Sequence, residues 1–76
     1  MVDTTKIKES LTRAKFKSDM ISIVVHNLEG LEKSLKADQI SIVVHNLENE
    51  PKFAKEFAKD PNKALKKVGI NPVPSP

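Results

Sequence analysis

The stretch Ile21-Ser22-Ile23-Val24-Val25-His26-Asn27-Leu28-Glu29 occurs a second time, without a change, as Ile40-Ser41-Ile42-Val43-Val44-His45-Asn46-Leu47-Glu48. The two nine-residue copies lie nineteen positions apart in a chain of 76 residues. Identity over this length does not arise by chance. It indicates a recent duplication, an engineered one, or a unit that a partner recognises twice, and the sequence leaves these three interpretations open.

Each copy is compatible with two secondary structures. As a strand, it has a favourable β-branched content, and alternate residues such as Ile21 and Ile23 share one face. As a helix, it places apolar residues at the i, i+3, i+4 and i+7 spacing of a buried stripe. The stripe consists of Ile21, Val24, Val25 and Leu28 in the first copy and of Ile40, Val43, Val44 and Leu47 in the second. Ser22, His26 and Glu29 would then face away from the core.

The residues that flank the copies favour the helix. Asp19 and Asp38 precede the apolar stripes, where an aspartate accepts hydrogen bonds from free backbone N–H groups. Gly30 and Asn49 follow the copies and tolerate the left-handed conformation that ends many helices. We therefore predict an all-α fold, a small bundle of four to five short helices with an internal 19-residue tandem repeat. The alternative is an α/β fold in which the two repeats are paired strands.

The rest of the chain predicts three more helices. The first contains the stripe Ile7, Leu11 and Ala14 and is expected to end near Lys17. In the last third, Pro51 and Asp60-Pro61 begin two helices, and Gly69 ends the second of them. The expected organisation is one helical domain over residues 1–70, with repeats at 19–29 and 38–48, and a flexible proline-rich tail over 71–76.

The composition argues against several classes of function. The chain has no cysteine, and its two glycines form no phosphate-binding loop. His26 and His45 lack the further ligands of a zinc site, and no catalytic site is predicted. A net charge of +3 is compatible with nucleic acid, but Arg13 is the single arginine and no helix has the exposed residues of a recognition helix. We expect no enzyme activity, cofactor, membrane span or secretory signal, and hence a cytoplasmic protein.

The segment from Phe53 to Ile70 resembles leader regions of ribosomally synthesised, post-translationally modified peptides. In nitrile-hydratase-like leaders and in the recognition domain of borosin precursors, an apolar helix runs into Asp/Asn-Pro, an Ala-Leu helix, and Gly with an aliphatic residue. The matching positions are Phe53, Phe57, Asp60, Pro61, Ala64, Leu65, Gly69 and Ile70. The resemblance covers about a quarter of the chain. Its pattern also follows the general rules for beginning and ending helices.

The resemblance implies a non-enzymatic precursor that a peptide-modifying enzyme binds. Borosin cores are rich in Val and Ile and are N-methylated on the backbone by an enzyme that uses S-adenosylmethionine. The implied modified positions are Ile21, Ile23, Val24, Val25, Ile40, Ile42, Val43 and Val44. Phe53, Phe57, Leu65 and Val68 would form either the core or the surface that binds the partner. In those families the leader precedes its core, whereas here the leader-like segment follows the repeats.

A second hypothesis does not depend on this resemblance. The chain would be a structural or interaction protein in which a natural or engineered duplication has lengthened a shorter helical protein. In either case the expected partner is a protein. A third interpretation, self-association through the repeat stripes, is also open because the stripes are too apolar to stay exposed on a monomer.

Overall fold

The computed structural model describes residues 4–71, and in this part of the chain five helices and no strand are present. Helix α1 spans Thr5–Arg13, α2 Ser18–Leu31, α3 Ala37–Asn49, α4 Pro51–Lys59 and α5 Pro61–Lys67. The predicted all-α fold is therefore confirmed, and the paired-strand alternative is wrong. The predicted tail falls almost entirely on residues 72–76, which lie outside the described part.

Both copies of the repeat are helical, and both bury the same positions. Val24 and Leu28 of α2 are fully buried, as are Val43 and Leu47 of α3. The other stripe residues, Ile21, Val25, Ile40 and Val44, are partly buried, and all of them except Val25 pack against this core. Ser22 and His26 face outward, as the helical periodicity predicts. The i, i+3, i+4, i+7 spacing outweighs β propensity because it lets a helix bury one continuous stripe.

Helices α1 and α4 hold the two copies in place. Each of α2 and α3 packs against both α1 and α4, and α5 packs on α4. Within residues 4–71, thirteen buried side chains form one core, to which all five helices contribute. Leu35, in the connection between α2 and α3, is one of them, so this connection is anchored in the core.

The last two helices begin and end as the sequence predicts. Asp60 precedes α5, and its Oδ1 accepts a hydrogen bond from the Lys63 N–H at 3.2 Å. Gly69 has a φ of 78°, and the Ile70 N–H donates to the Leu65 carbonyl at 2.9 Å. This is a Schellman ending, in which glycine adopts the left-handed conformation and the next apolar residue, Ile70, packs into the core.

Helix α1 ends earlier than predicted, at Arg13 and not near Lys17. Lys15 adopts the left-handed conformation with a φ of 65°. The Phe16 N–H then donates to the Leu11 carbonyl at 3.0 Å, which gives α1 a Schellman ending without glycine. The sequence does not signal this turn, because lysine is not a residue that favours it.

The predicted ends of α2 and α3 also need correction. The residues before these helices are Lys17 and Lys36, so Asp19 and Asp38 lie in the first turns and do not cap them with a side-chain bond. Their negative charges still complement the positive end of each helix dipole. Gly30 does not end α2, which continues to Leu31. Helical packing beyond the copy overrides the local preference of glycine.

Candidate protein-binding surfaces

The residues proposed as a partner-binding surface lie mostly in the core. Phe57 and Leu65 are fully buried, and Phe53 is 8% exposed. The two phenylalanine rings stack with their centroids 5.8 Å apart. Val68 is partly buried against the same core. In this conformation the first three side chains stabilise the packing of α4 and α5, and a partner has little access to them.

The eight positions proposed for backbone modification lie inside helices. Val24 and Val43 are fully buried, whereas Ile23 and Ile42 are exposed. The backbone N–H groups are engaged in helical hydrogen bonds; that of Ile21, for example, donates to the Lys17 carbonyl at 3.0 Å. A methyl group on such a nitrogen would replace the donor, so modification would require the helix to open first.

The exposed sides of the two copies form a pair of matching surfaces. We name them the twin ridges, which consist of Ser22, Ile23 and His26 on α2 and of Ser41, Ile42 and His45 on α3. All six residues are exposed. Ile23 is 44% exposed and Ile42 is 43% exposed, and they are the large exposed apolar side chains of residues 4–71. The fold thus presents the same three residue types on two different helices.

One residue of the repeat has different partners in the two copies. The Asn27 side chain donates from Nδ2 to the Phe57 carbonyl on α4 at 2.9 Å. The residue four positions after Phe57 is Pro61, which has no N–H and so leaves this carbonyl without its helical donor. Asn27 supplies the missing hydrogen bond and links α2 to α4. The sequence contains a signal for this unpaired carbonyl, because a proline at the start of α5 always removes the N–H donor for the carbonyl four residues earlier.

The equivalent asparagine, Asn46, makes only a local contact. Its Nδ2 donates to the Ile42 carbonyl of its own helix at 2.8 Å. The α3 ridge has one further difference at its C-terminal end, where Asn49 donates to the His45 carbonyl at 2.8 Å. Gly30 occupies the equivalent position on α2 and has no side chain. Identical repeat residues therefore bond according to their surroundings.

The two histidines of the ridges belong to no metal-binding group within the described residues 4–71. His26 and His45 are both exposed. Across residues 4–71, no three His, Cys, Asp or Glu side chains come together in a group that could hold a metal ion. An open groove of about 390 Å³ runs between α1 and α2, with Ile21 and Val25 among its lining residues. Its polar lining includes Lys8, His26 and Glu29. No hydrogen bond joins any two of these three side chains.

Helix α4 carries a row of positive charge opposite its buried side. We name Lys52, Lys55 and Lys59 the lysine face; their i, i+3, i+7 spacing places them on one side of the helix, and all are exposed. The nearby Glu56 carboxylate already faces two lysines of α5, with Oε1 3.8 Å from the Lys63 Nζ and 3.7 Å from the Lys67 Nζ. The lysine face therefore offers its charge to solvent or to a partner.

Comparisons with protein-family models, with curated proteins and with solved structures gave no match. Among the described helices, none combines the length and the apolar character that crossing a bilayer requires.

Proposed function

We propose that this chain is a non-enzymatic protein-binding module that offers the same contact surface twice. The observation that carries the proposal is the equal exposure of Ile23 and Ile42, at equivalent positions of two different helices. A single exposed isoleucine is ordinary on a protein surface. Two of them, each beside the same exposed serine and histidine, are what a partner that recognises this short surface would require.

Packing alone gives no reason for the identity of the two ridges. The core constrains the stripe positions, such as Val24 and Val43, because they are fully buried. Exposed positions such as Ser22 and Ser41 accept most substitutions with little change in stability. Selection for binding would keep these outer positions the same in both copies. It would also keep isoleucine at positions 23 and 42, although the contact of its side chain with water is unfavourable.

Two equal surfaces increase the strength of binding to a partner that has two sites. Once one ridge is bound, the second is held near its own site at a high effective concentration. Neither ridge then needs a large interface. A partner with one site would gain only a statistical advantage.

Site-specific photo-crosslinking tests this proposal. A benzophenone amino acid replaces Ile23 in one variant and Ile42 in another, and Ser34, exposed in the connection between α2 and α3, is replaced in a control. In cells that express the chain, both ridge variants should crosslink to the same protein, identified by mass spectrometry, and the control should not. Crosslinks that are equally frequent from all three positions would contradict the proposal.

A second candidate function is a precursor recognised by a peptide-modifying enzyme, which the sequence pattern of residues 53–70 favours. The enzyme would have to bind the domain while α2 or α3 opens, because the helical N–H groups are otherwise engaged. Co-expression with candidate methyltransferases, followed by intact mass measurement, tests this function. Added methyl groups within residues 21–25 or 40–44 support it, and an unchanged mass with every candidate enzyme counts against it.

A further inference from the structure

The charges of the chain are unevenly distributed along the fold. Residues 5–17 carry five basic and one acidic side chain, and residues 50–67 carry six basic and three acidic ones. Residues 18–49, which contain both copies, carry two basic and five acidic side chains. One chain therefore has an acidic part, where the twin ridges lie, and basic parts on α1, α4 and α5.

Acidic residues flank both ridges. Asp19 and Glu29 lie on either side of the ridge on α2, and both are exposed. Asp38 and Glu48 occupy the equivalent positions on α3. If two ridges faced one another in a symmetric dimer, like charges would meet across the interface, which is unfavourable. A partner for a ridge should instead provide positive charge together with apolar area.

The lysine face has both properties. A lysine contributes a positive ammonium group at the end of an aliphatic stem, and the stem can cover apolar surface while the charge stays in water. Lys52, Lys55 and Lys59 lie on one side of α4 and are exposed. Their stems could cover an isoleucine, and their ammonium groups could approach the aspartate or glutamate beside it.

We propose that the partner of the twin ridges is a second copy of this chain, which contacts a ridge with its lysine face. This inference rests on the proposed function and identifies its partner. The two contacting surfaces differ, so each contact is head-to-tail, with a ridge of one chain against the lysine face of another. Each chain has two ridges and one lysine face, and the mean mass of the assemblies should therefore rise with the protein concentration.

Sedimentation velocity of the full chain is the first test. The mean sedimentation coefficient should rise with protein concentration in low salt. The association should weaken by about tenfold or more in high salt, because exposed charge pairs are screened. A chain that remains monomeric at millimolar concentration in low salt would overturn the inference. The proposed function would still stand if Ile23 and Ile42 crosslinked to a different protein.

A pair of complementary variants tests the head-to-tail geometry. One variant, I23K/I42K, places positive charge on both ridges but keeps the lysine face. The other, K52Q/K55Q/K59Q, removes the charge of the lysine face but keeps the ridges. All five positions are exposed, and lysine and glutamine both favour helices, so both variants should fold, which circular dichroism checks.

Each variant alone should be monomeric. An equimolar mixture should associate, because the ridges of K52Q/K55Q/K59Q can bind the lysine face of I23K/I42K. Solutions of each variant alone, at the same total protein concentration as the mixture, are the controls. A monomeric mixture would overturn the inference, and so would undiminished association of I23K/I42K alone, since either result would place the interface elsewhere.

Discussion

The two copies of the repeat have the same sequence and the same buried residues, but different bonds at their edges. Val24 and Leu28 have the same burial as Val43 and Leu47. Asn27, in contrast, bonds to α4, whereas Asn46 bonds to its own helix. The periodicity of a segment thus determines which residues are buried, and the neighbouring helices determine the polar contacts. Because the sequences are identical, a substitution in one copy has a matched control in the other.

Truncation of the central leucines should have the largest effect. Leu28→Ala and Leu47→Ala each remove a buried side chain, and each should lower the free energy of unfolding by about 2–5 kcal/mol. A 76-residue chain has little stability to spare, so either variant should unfold at much lower urea concentration. Urea denaturation monitored by circular dichroism measures both. A small effect for one leucine alone would show that its copy adds little to the core.

The asparagines should differ from each other more than any other pair in the repeats. Asn27→Ala leaves the Phe57 carbonyl without a donor and should cost about 1–3 kcal/mol of stability. Asn46→Ala removes a bond within one helix, and alanine favours helices, so its effect should stay within about 0.5 kcal/mol. Thermal denaturation of the two variants gives the comparison. Equal losses would show that the link between α2 and α4 has no special role.

The beginnings of the two helices should differ by a smaller amount. Gln39 Oε1 accepts a hydrogen bond from the Lys36 N–H at 3.0 Å, whereas Met20 at the equivalent position of α2 has no such acceptor. Gln39→Met removes this capping-box hydrogen bond and should therefore destabilise the chain by about 0.5–1 kcal/mol. Chemical denaturation, with the conservative Gln39→Glu variant as a control that retains an acceptor, tests this. Loss in both variants would contradict the capping explanation.

The ridges should show the smallest effect on stability. Ile23→Ser and Ile42→Ser change exposed side chains and should each alter the free energy of unfolding by about 0.5 kcal/mol or less. Binding should respond differently, because each single variant loses one of the two contact surfaces and the double variant loses both. Thermal denaturation and sedimentation velocity of the same samples separate the two properties. A loss of stability that accompanies every loss of binding would argue that the ridges have a structural role.

Most of the fold follows from local patterns in the sequence. The stripe spacing predicts both repeat helices and their buried residues, and Pro51, Asp60-Pro61 and Gly69 mark the last two helices. The failures occur where distant packing overrides a local preference. Gly30 lies inside α2, and Lys15 adopts a left-handed turn that lysine does not favour. Both features depend on packing between residues that are far apart in the sequence, and a local pattern does not specify such packing.

The candidate surfaces were only partly predictable. The helical interpretation places His26 and its neighbours outward, which the structure confirms. The resemblance of the last third to leader regions indicates Phe53, Phe57 and Leu65 as possible contact residues, and the fold buries them. An apolar side chain that could bind a partner could equally fill the core, and sequence alone does not distinguish these roles. In the sequence, the lysines of α4 contribute only to the net charge of +3, and their proposed value as a contact surface depends on the position of the ridges.

The bond from Asn27 to Phe57 has a consequence for the order in which the chain matures on the ribosome. The asparagine is synthesised thirty residues before the carbonyl that it contacts. Both duplicated helices emerge before α4, which each of them packs against. During that interval their apolar stripes lack the contacts with α4 that they have in the folded chain. Synthesis of the final third ends this interval. Helix α4 then packs against α2 and α3, and the Asn27 side chain donates its hydrogen bond to the Phe57 carbonyl.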